Sequence, residues 1–149
     1  MLAGMYLVIS DAQTRHCPNG TVANMSLGAS LSWVMNFAAR DMVDAGIFLA
    51  VAAGNSAEDL RDTSPASEPS VCTVGATDKK DAAAYFSNYG ELLDVYAPRV
   101  DIQSSYIGGK DATVSRLSLL LHLEPSGSAP SRCSACVDSF AFFSIRIPC

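Results

Sequence analysis

The stretch GIFLAVAAGNS, residues 46–56, decides the fold. From Ile47 to Val51 it is an apolar run without polar alternation, the pattern of a strand buried on both faces in a parallel sheet under helices. The run then stops. Ala52, Ala53, Gly54 and Asn55 are small or turn-forming, so backbone is exposed at the strand's carboxyl end, where open α/β sheets place their ligands. Asn55 would present its side-chain amide there, although a Gly-Asn pair by itself simply makes a turn.

Working outward, a helix precedes this strand. Ser30 or Ser32 opens it as N-cap; Leu31, Val34, Ala38, Met42 and Ala45 face inward, Ser32, Asn36, Arg40 and Asp44 outward, and Gly46 ends it. Before the helix, TVANMSLG (residues 21–28) reads as a second buried strand. Two strands joined by a helix lie parallel with a right-handed crossover, so residues 26–29 and 52–55 leave the same sheet edge and flank one crevice. Further upstream, Leu2, Met5, Ile9 and Ala12 share one helical face, and CPNG (residues 17–20) makes a turn. Downstream, residues 56–70 are polar and Pro-containing, hence a surface loop. VCTVGA (71–76) is another buried strand, YFSNYG (85–90) an aromatic-bracketed turn, and LLDVYAP (92–98) and VDIQSSY (100–106) are further strands.

Composition narrows the function classes. The chain has 149 residues, 49% hydrophobic and 17% charged, enough for one domain with a real core. Mean hydropathy is +0.21. A net charge of -5, with ten scattered Lys and Arg, argues against nucleic acid, which needs a clustered basic face. No apolar run approaches the roughly 20 residues of a membrane-crossing helix. The opening MLAGMYLVIS lacks a basic start and reaches Ser10 and Asp11 quickly, so no signal peptide is read. Neither G-x-G-x-x-G nor a Walker motif opens a helix, which discounts nucleotides. Five cysteines are an odd count; Cys133-Ser-Ala-Cys136 has metal or redox spacing, but no second pair or nearby His completes four ligands.

The segments NMSLG (24–28), AVAAGN (50–55), SPASEPSVCTVGATD (64–78), FSNYG (86–90) and DIQSSYIGG (101–109), in this order and spacing, closely resemble the proteinase K branch of the subtilisin-like serine proteases (peptidase S8), fungal secreted members in particular. The resemblance covers about residues 2–109. It implies a three-layer α/β fold with a mainly parallel sheet, present here in part, an extracellular setting, and peptide-bond hydrolysis through an acyl-enzyme. Asn55 matches the family's oxyanion-hole asparagine, a neutral donor for charge that appears only in the transition state. Ser26, Leu27 and Gly28 match the extended segment that pairs with substrate backbone, and Ala52, Ala53 and Gly54 the wall of the specificity pocket, with room for a large apolar side chain. The carbonyls of Pro69 and Val71 with the carboxylate of Asp94 match the family's calcium site, an oxygen-only set suited to that hard cation. Cys17 and Cys72 match half-cystines whose mates have no evident counterpart here, and Ser64-Pro65 matches a cis peptide.

The chain also departs from the family. Acyl transfer by a serine needs a nucleophile, a base and an orienting carboxylate. In the family the last two precede the oxyanion asparagine, and nothing before Asn55 matches them; His16 and His122 fit neither motif nor position. Counting from Gly108-Gly109, the nucleophile falls on Ser118, but Arg116 and Leu117 stand where the family's motif has small residues before the serine. From Lys110 the resemblance ends, giving a partial peptidase domain over 1–109 and a divergent Ser-, Pro- and Cys-rich tail over 110–149. Arg99 stands where the family has glycine. The expectation is a central fragment of a subtilisin-like endopeptidase that lacks most catalytic machinery and takes a polypeptide substrate only if completed. The competing reading is a non-catalytic remnant or peptide-binding decoy.

Overall fold

The computed structural model describes residues 1–15, 20–100, 102–106 and 110–114, the last two segments as backbone. Helix α1 spans Leu2–Thr14 and strand β1 Thr21–Met25; a short β2, Ala29–Ser30, leads into helix α2, Trp33–Asp44, and strand β3, Ile47–Ala52. A single 3-10 turn, Leu60–Asp62, runs into β4, Thr63–Ser64. Then follow β5, Cys72–Thr77, β6, Val95–Pro98, β7, Ile102–Tyr106, and β8, Lys110–Val114. Strands β1, β3, β5 and β6 form one sheet in the order β1-β3-β5-β6, every pair parallel, while β2 with β4 and β7 with β8 make two small antiparallel pairs. The α/β class and the parallel pairing of the two strands around α2 are as read from the sequence.

The apolar run of β3 is central because both its neighbours bond to it: Thr21 to Met25 register with Ile47 to Val51, and Ala50 to Ala52 with Cys72 to Val74. Ile47, Leu49 and Val51 join Ala23 of β1, Met5 and Val8 of α1, and Ala38, Ala39 and Met42 of α2 in the main core. Both helices thus cover one face. On the opposite face Cys72, Val74 and Ala97 cluster with Phe48 and Val95, and among the described residues no helix covers them. Two of the three expected layers are therefore described.

Ser32 caps α2, its Oγ accepting from the Met35 amide at 3.4 Å, and Gly46 follows its end at a φ of 83°, where a side chain would be strained. The inward face differs from the sequence reading. Ala38 and Met42 are buried as read, but Leu31 and Val34 are exposed, whereas Asn36 and Ala39 are buried. Two causes act together: pairing of β2 with β4 holds the chain extended through Ser30 and delays the helix to Trp33, and Asn36 becomes buriable because its Nδ2 donates to Ser67 Oγ at 2.9 Å. Arg40, expected outward, reaches back to the buried Glu68, donating from Nε at 3.2 Å and from its terminal nitrogen at 2.9 Å. The Glu68 carboxylate holds the Arg40 guanidinium above the usual range.

Ser64-Pro65 is cis, as the resemblance implies. Cys72 is disulfide-bonded, although the sequence shows no evident counterpart of the family's mate. Arg99, the departure from the family's glycine, is only 5% exposed, and burial pushes its guanidinium down to about 10, still protonated at neutral pH.

Candidate functional site

Parallel neighbours end on the same sheet edge, and here β1 ends at Met25 and β3 at Ala52. Beyond β1 the chain continues through Ser26, Leu27 and Gly28 into β2, which is tied to β4 by the pairs Ala29 with Ser64 and Ser30 with Thr63. Gly28 sits 3.5 Å, from its would-be Cβ, to both Ser64 O and Thr63 Cγ2, so this edge lies close against the segment opposite. Beyond β3 the chain turns at Gly54, whose φ is 110°, a region L side chains rarely adopt. The two exits enclose a cleft of about 380 Å³.

Six residues singled out in the sequence line this cleft: Ser26, Leu27, Gly28, Ala52, Gly54 and Asn55. Ala53 does not. It is fully buried in the main core, its amide donating to Val74 O at 2.9 Å, because successive strand residues point to opposite faces. Ser118, His16, His122 and Cys17 lie outside the described residues.

The charged residues of the lining are Glu58 and Asp62, both acidic. The nearby cation Arg61 turns instead to Glu91 at 3.1 Å and Asp59 at 3.9 Å. An apolar pocket was expected from the small residues of the wall; the rim adds two carboxylates to it.

Asn88 was missed. It belongs to the stretch read as an aromatic-bracketed turn, yet it is 2% exposed and lines the cleft. Its Oδ1 accepts from the amides of Ser56 at 2.9 Å and Glu58 at 3.2 Å, and its Nδ2 donates to Thr63 Oγ1 at 3.2 Å. Asparagine in a turn ordinarily bonds its own backbone two residues on. These partners are 25 to 32 residues away, and no local signal could have named them.

The three residues matched to a calcium site sit at the other end of the sheet. Asp94 immediately precedes β6 and Val71 immediately precedes β5, and these strands are parallel neighbours. Asp94 Oδ2 accepts from the Thr73 amide at 2.8 Å and its own amide donates to Thr73 O at 3.0 Å, which anchors the carboxylate beside the segment carrying Pro69 and Val71. Among the described residues no three His, Cys, Asp or Glu side chains converge on a metal-sized site, so an ion here would depend on carbonyl oxygens and one carboxylate. That donor chemistry fits calcium and excludes soft metals.

A four-stranded parallel sheet with helices on one face, and a cleft at its carboxyl edge lined by residues 26–28 and Asn55, places the protein in the α/β class. The comparisons make this specific: the chain belongs to the subtilase family, whose model matches residues 5–130. It is 52% identical over 119 residues to alkaline serine protease ver112 of Corniculantispora psalliotae and 49% identical over 119 residues to proteinase R of Parengyodontium album, in each case over 80% of this chain and 31% of the relative. The chain thus spans about a third of the length of these relatives. Among solved structures, a cold adapted subtilisin-like serine proteinase superposes with a TM-score of 0.68 at 38% identity, over 79% of this chain and 43% of the other.

Proposed function

We propose that this chain is the substrate-recognising part of a subtilisin-like serine endopeptidase and does not hydrolyse peptides by itself. One observation carries the reading: Ser26 to Gly28 and Asn55 line the same cleft. An extended peptide laid along residues 26–28 would pair with their backbone as an added strand. Its scissile carbonyl would then lie toward Asn55, whose amide would donate to the oxygen as it gains charge during attack. Such a donor contributes only once a nucleophile and a base have started the attack, and no residue before Asn55 in the sequence matches the family's base. A disulfide at Cys72 supports an oxidising, extracellular setting. Among the described residues no helix is long and apolar enough to cross a membrane. Calcium is proposed at Pro69, Val71 and Asp94 as a structural ion that would tie the amino ends of β5 and β6 together.

Titration of an extended apolar peptide anilide into the isotopically labelled chain tests this. Amide resonances of Ser26 to Gly28 and Asn55 should shift on binding, and no aniline should be released. Release that disappears in Asn55→Ala would overturn the inactivity, and peptide binding elsewhere would overturn the assignment of the cleft.

A further inference from the structure

Asn88 makes four hydrogen bonds to cleft residues: its side chain bonds Ser56, Glu58 and Thr63, and its own amide donates to Gly54 O at 3.2 Å. All four partners line the cleft. Two of these bonds bracket Asn55. Gly54 O belongs to the peptide unit entering Asn55, and the Ser56 amide belongs to the peptide unit leaving it. Those two planes define φ and ψ at Asn55, since each peptide unit is rigid. A single buried side chain and its own amide therefore fix the direction in which Asn55 leaves the backbone.

We propose that Asn88 is the positioning residue of Asn55, setting the backbone from which the oxyanion-directed amide is presented and, through Thr63, joining that loop to the segment opposite. This rests on the proposed role of Asn55. The geometry explains why the loop can hold its shape at an exposed rim. Ser56 and Glu58 are exposed, so without the Asn88 oxygen their amides would exchange these bonds for water and the loop would lose that tether. Gly54 is part of the same arrangement: a Cβ there would come within 2.5 Å of Asn88 Nδ2, so the close approach of Asn88 requires glycine.

The test compares wild type, Asn88→Ala and Asn88→Asp, with Val71→Ala as a variant destabilised in the core away from the cleft. Amide hydrogen exchange is read residue by residue without peptide. In Asn88→Ala, exchange at Ser56 and Glu58 should accelerate by about tenfold or more beyond any change in β3, the factor expected for losing a hydrogen bond. Asn88→Asp keeps the Oδ1 acceptor and should preserve their protection, while the Asn55 side-chain amide resonance should move in Asn88→Ala and stay in Asn88→Asp. Val71→Ala should leave the ratio of rim to β3 exchange unchanged. Equal acceleration across the sheet in Asn88→Ala, or the same rim-specific acceleration in Val71→Ala, would overturn the proposal by making Asn88 an ordinary core residue. Because no peptide is present, this outcome is independent of whether the cleft binds substrate, which the anilide titration decides separately.

Discussion

Gly54→Ala should be among the most damaging single-methyl additions in this chain, and the structure separates its two costs. The backbone there has a φ of 110°, well beyond the left-handed region that other residues visit. Holding an L residue in so sparsely populated a region costs about 1–3 kcal/mol. The added methyl would also lie 2.5 Å from Asn88 Nδ2 and 3.1 Å from its Cγ. Asn88 cannot retreat freely, since its amide group is bonded on both sides, so the contact behaves as overpacking and adds roughly 1–3 kcal/mol. The two together give roughly 2–6 kcal/mol against a typical domain stability of about 5–15 kcal/mol. Gly46→Ala isolates the first cost: its φ is 83°, but nothing lies within 4 Å of the new methyl. Urea unfolding followed by circular dichroism should place Gly46→Ala above Gly54→Ala in stability by about 1 kcal/mol or more. A double-mutant cycle isolates the second cost. In an Asn88→Ala background the clash partner is gone, so Gly54→Ala should cost about 1–3 kcal/mol less than in wild type. Equal costs in the two backgrounds, or a Gly54→Ala loss below about 0.5 kcal/mol, would refute the claim that Asn88 and Gly54 form one fitted unit.

Other consequences can be checked with the same preparations. Arg40→Ala leaves the Glu68 carboxylate, 3% exposed, without its cation, and should cost roughly 1–3 kcal/mol, below the range for fully buried pairs because Arg40 itself is 49% exposed. Arg61→Ala, whose partner Glu91 is 86% exposed, should change the urea midpoint little, and equal losses from the two arginines would refute the distinction. Calorimetry should find calcium binding lowered by Asp94→Asn and nearly unchanged by Asp101→Asn; equal losses, or none from Asp94→Asn, would remove the proposed site. With Glu58 and Asp62 at the cleft, a peptide carrying Lys should bind more tightly than its Leu counterpart at low ionic strength, and 0.5 M salt should erase the difference, as it screens exposed charges beyond a few Å. No salt-dependent preference, or one for Glu, would show that these carboxylates do not face the ligand.

What the sequence disclosed and what it withheld divide along the range of the interactions concerned. β3 was legible because burial on both faces writes itself locally, as a run without alternation, and its end was legible because Gly54 and Asn55 are residues that stop strands. The meeting of residues 26–28 with 52–55 also followed, since a helix between two strands leaves one parallel arrangement and hence one shared edge. The phase of α2 was legible only in part: Ala38 and Met42 are buried as their spacing implied, but its first turn is not. Helical periodicity ranks Val34 above Asn36 for burial on polarity alone, and it has no means of seeing Ser67 satisfying that amide from a loop 31 residues on. Glu68 and Arg40 follow the same rule: each alone looks like a surface residue, and only their pairing makes burial of the carboxylate tolerable. Asn88 is the strongest case. The turn chemistry of its neighbours gives a complete local account of it, so nothing in that stretch asks for another explanation, while its actual partners all belong to the cleft. A buried polar side chain is placed by the groups that satisfy it, and when those groups lie across the fold, its role can be read only from the pair.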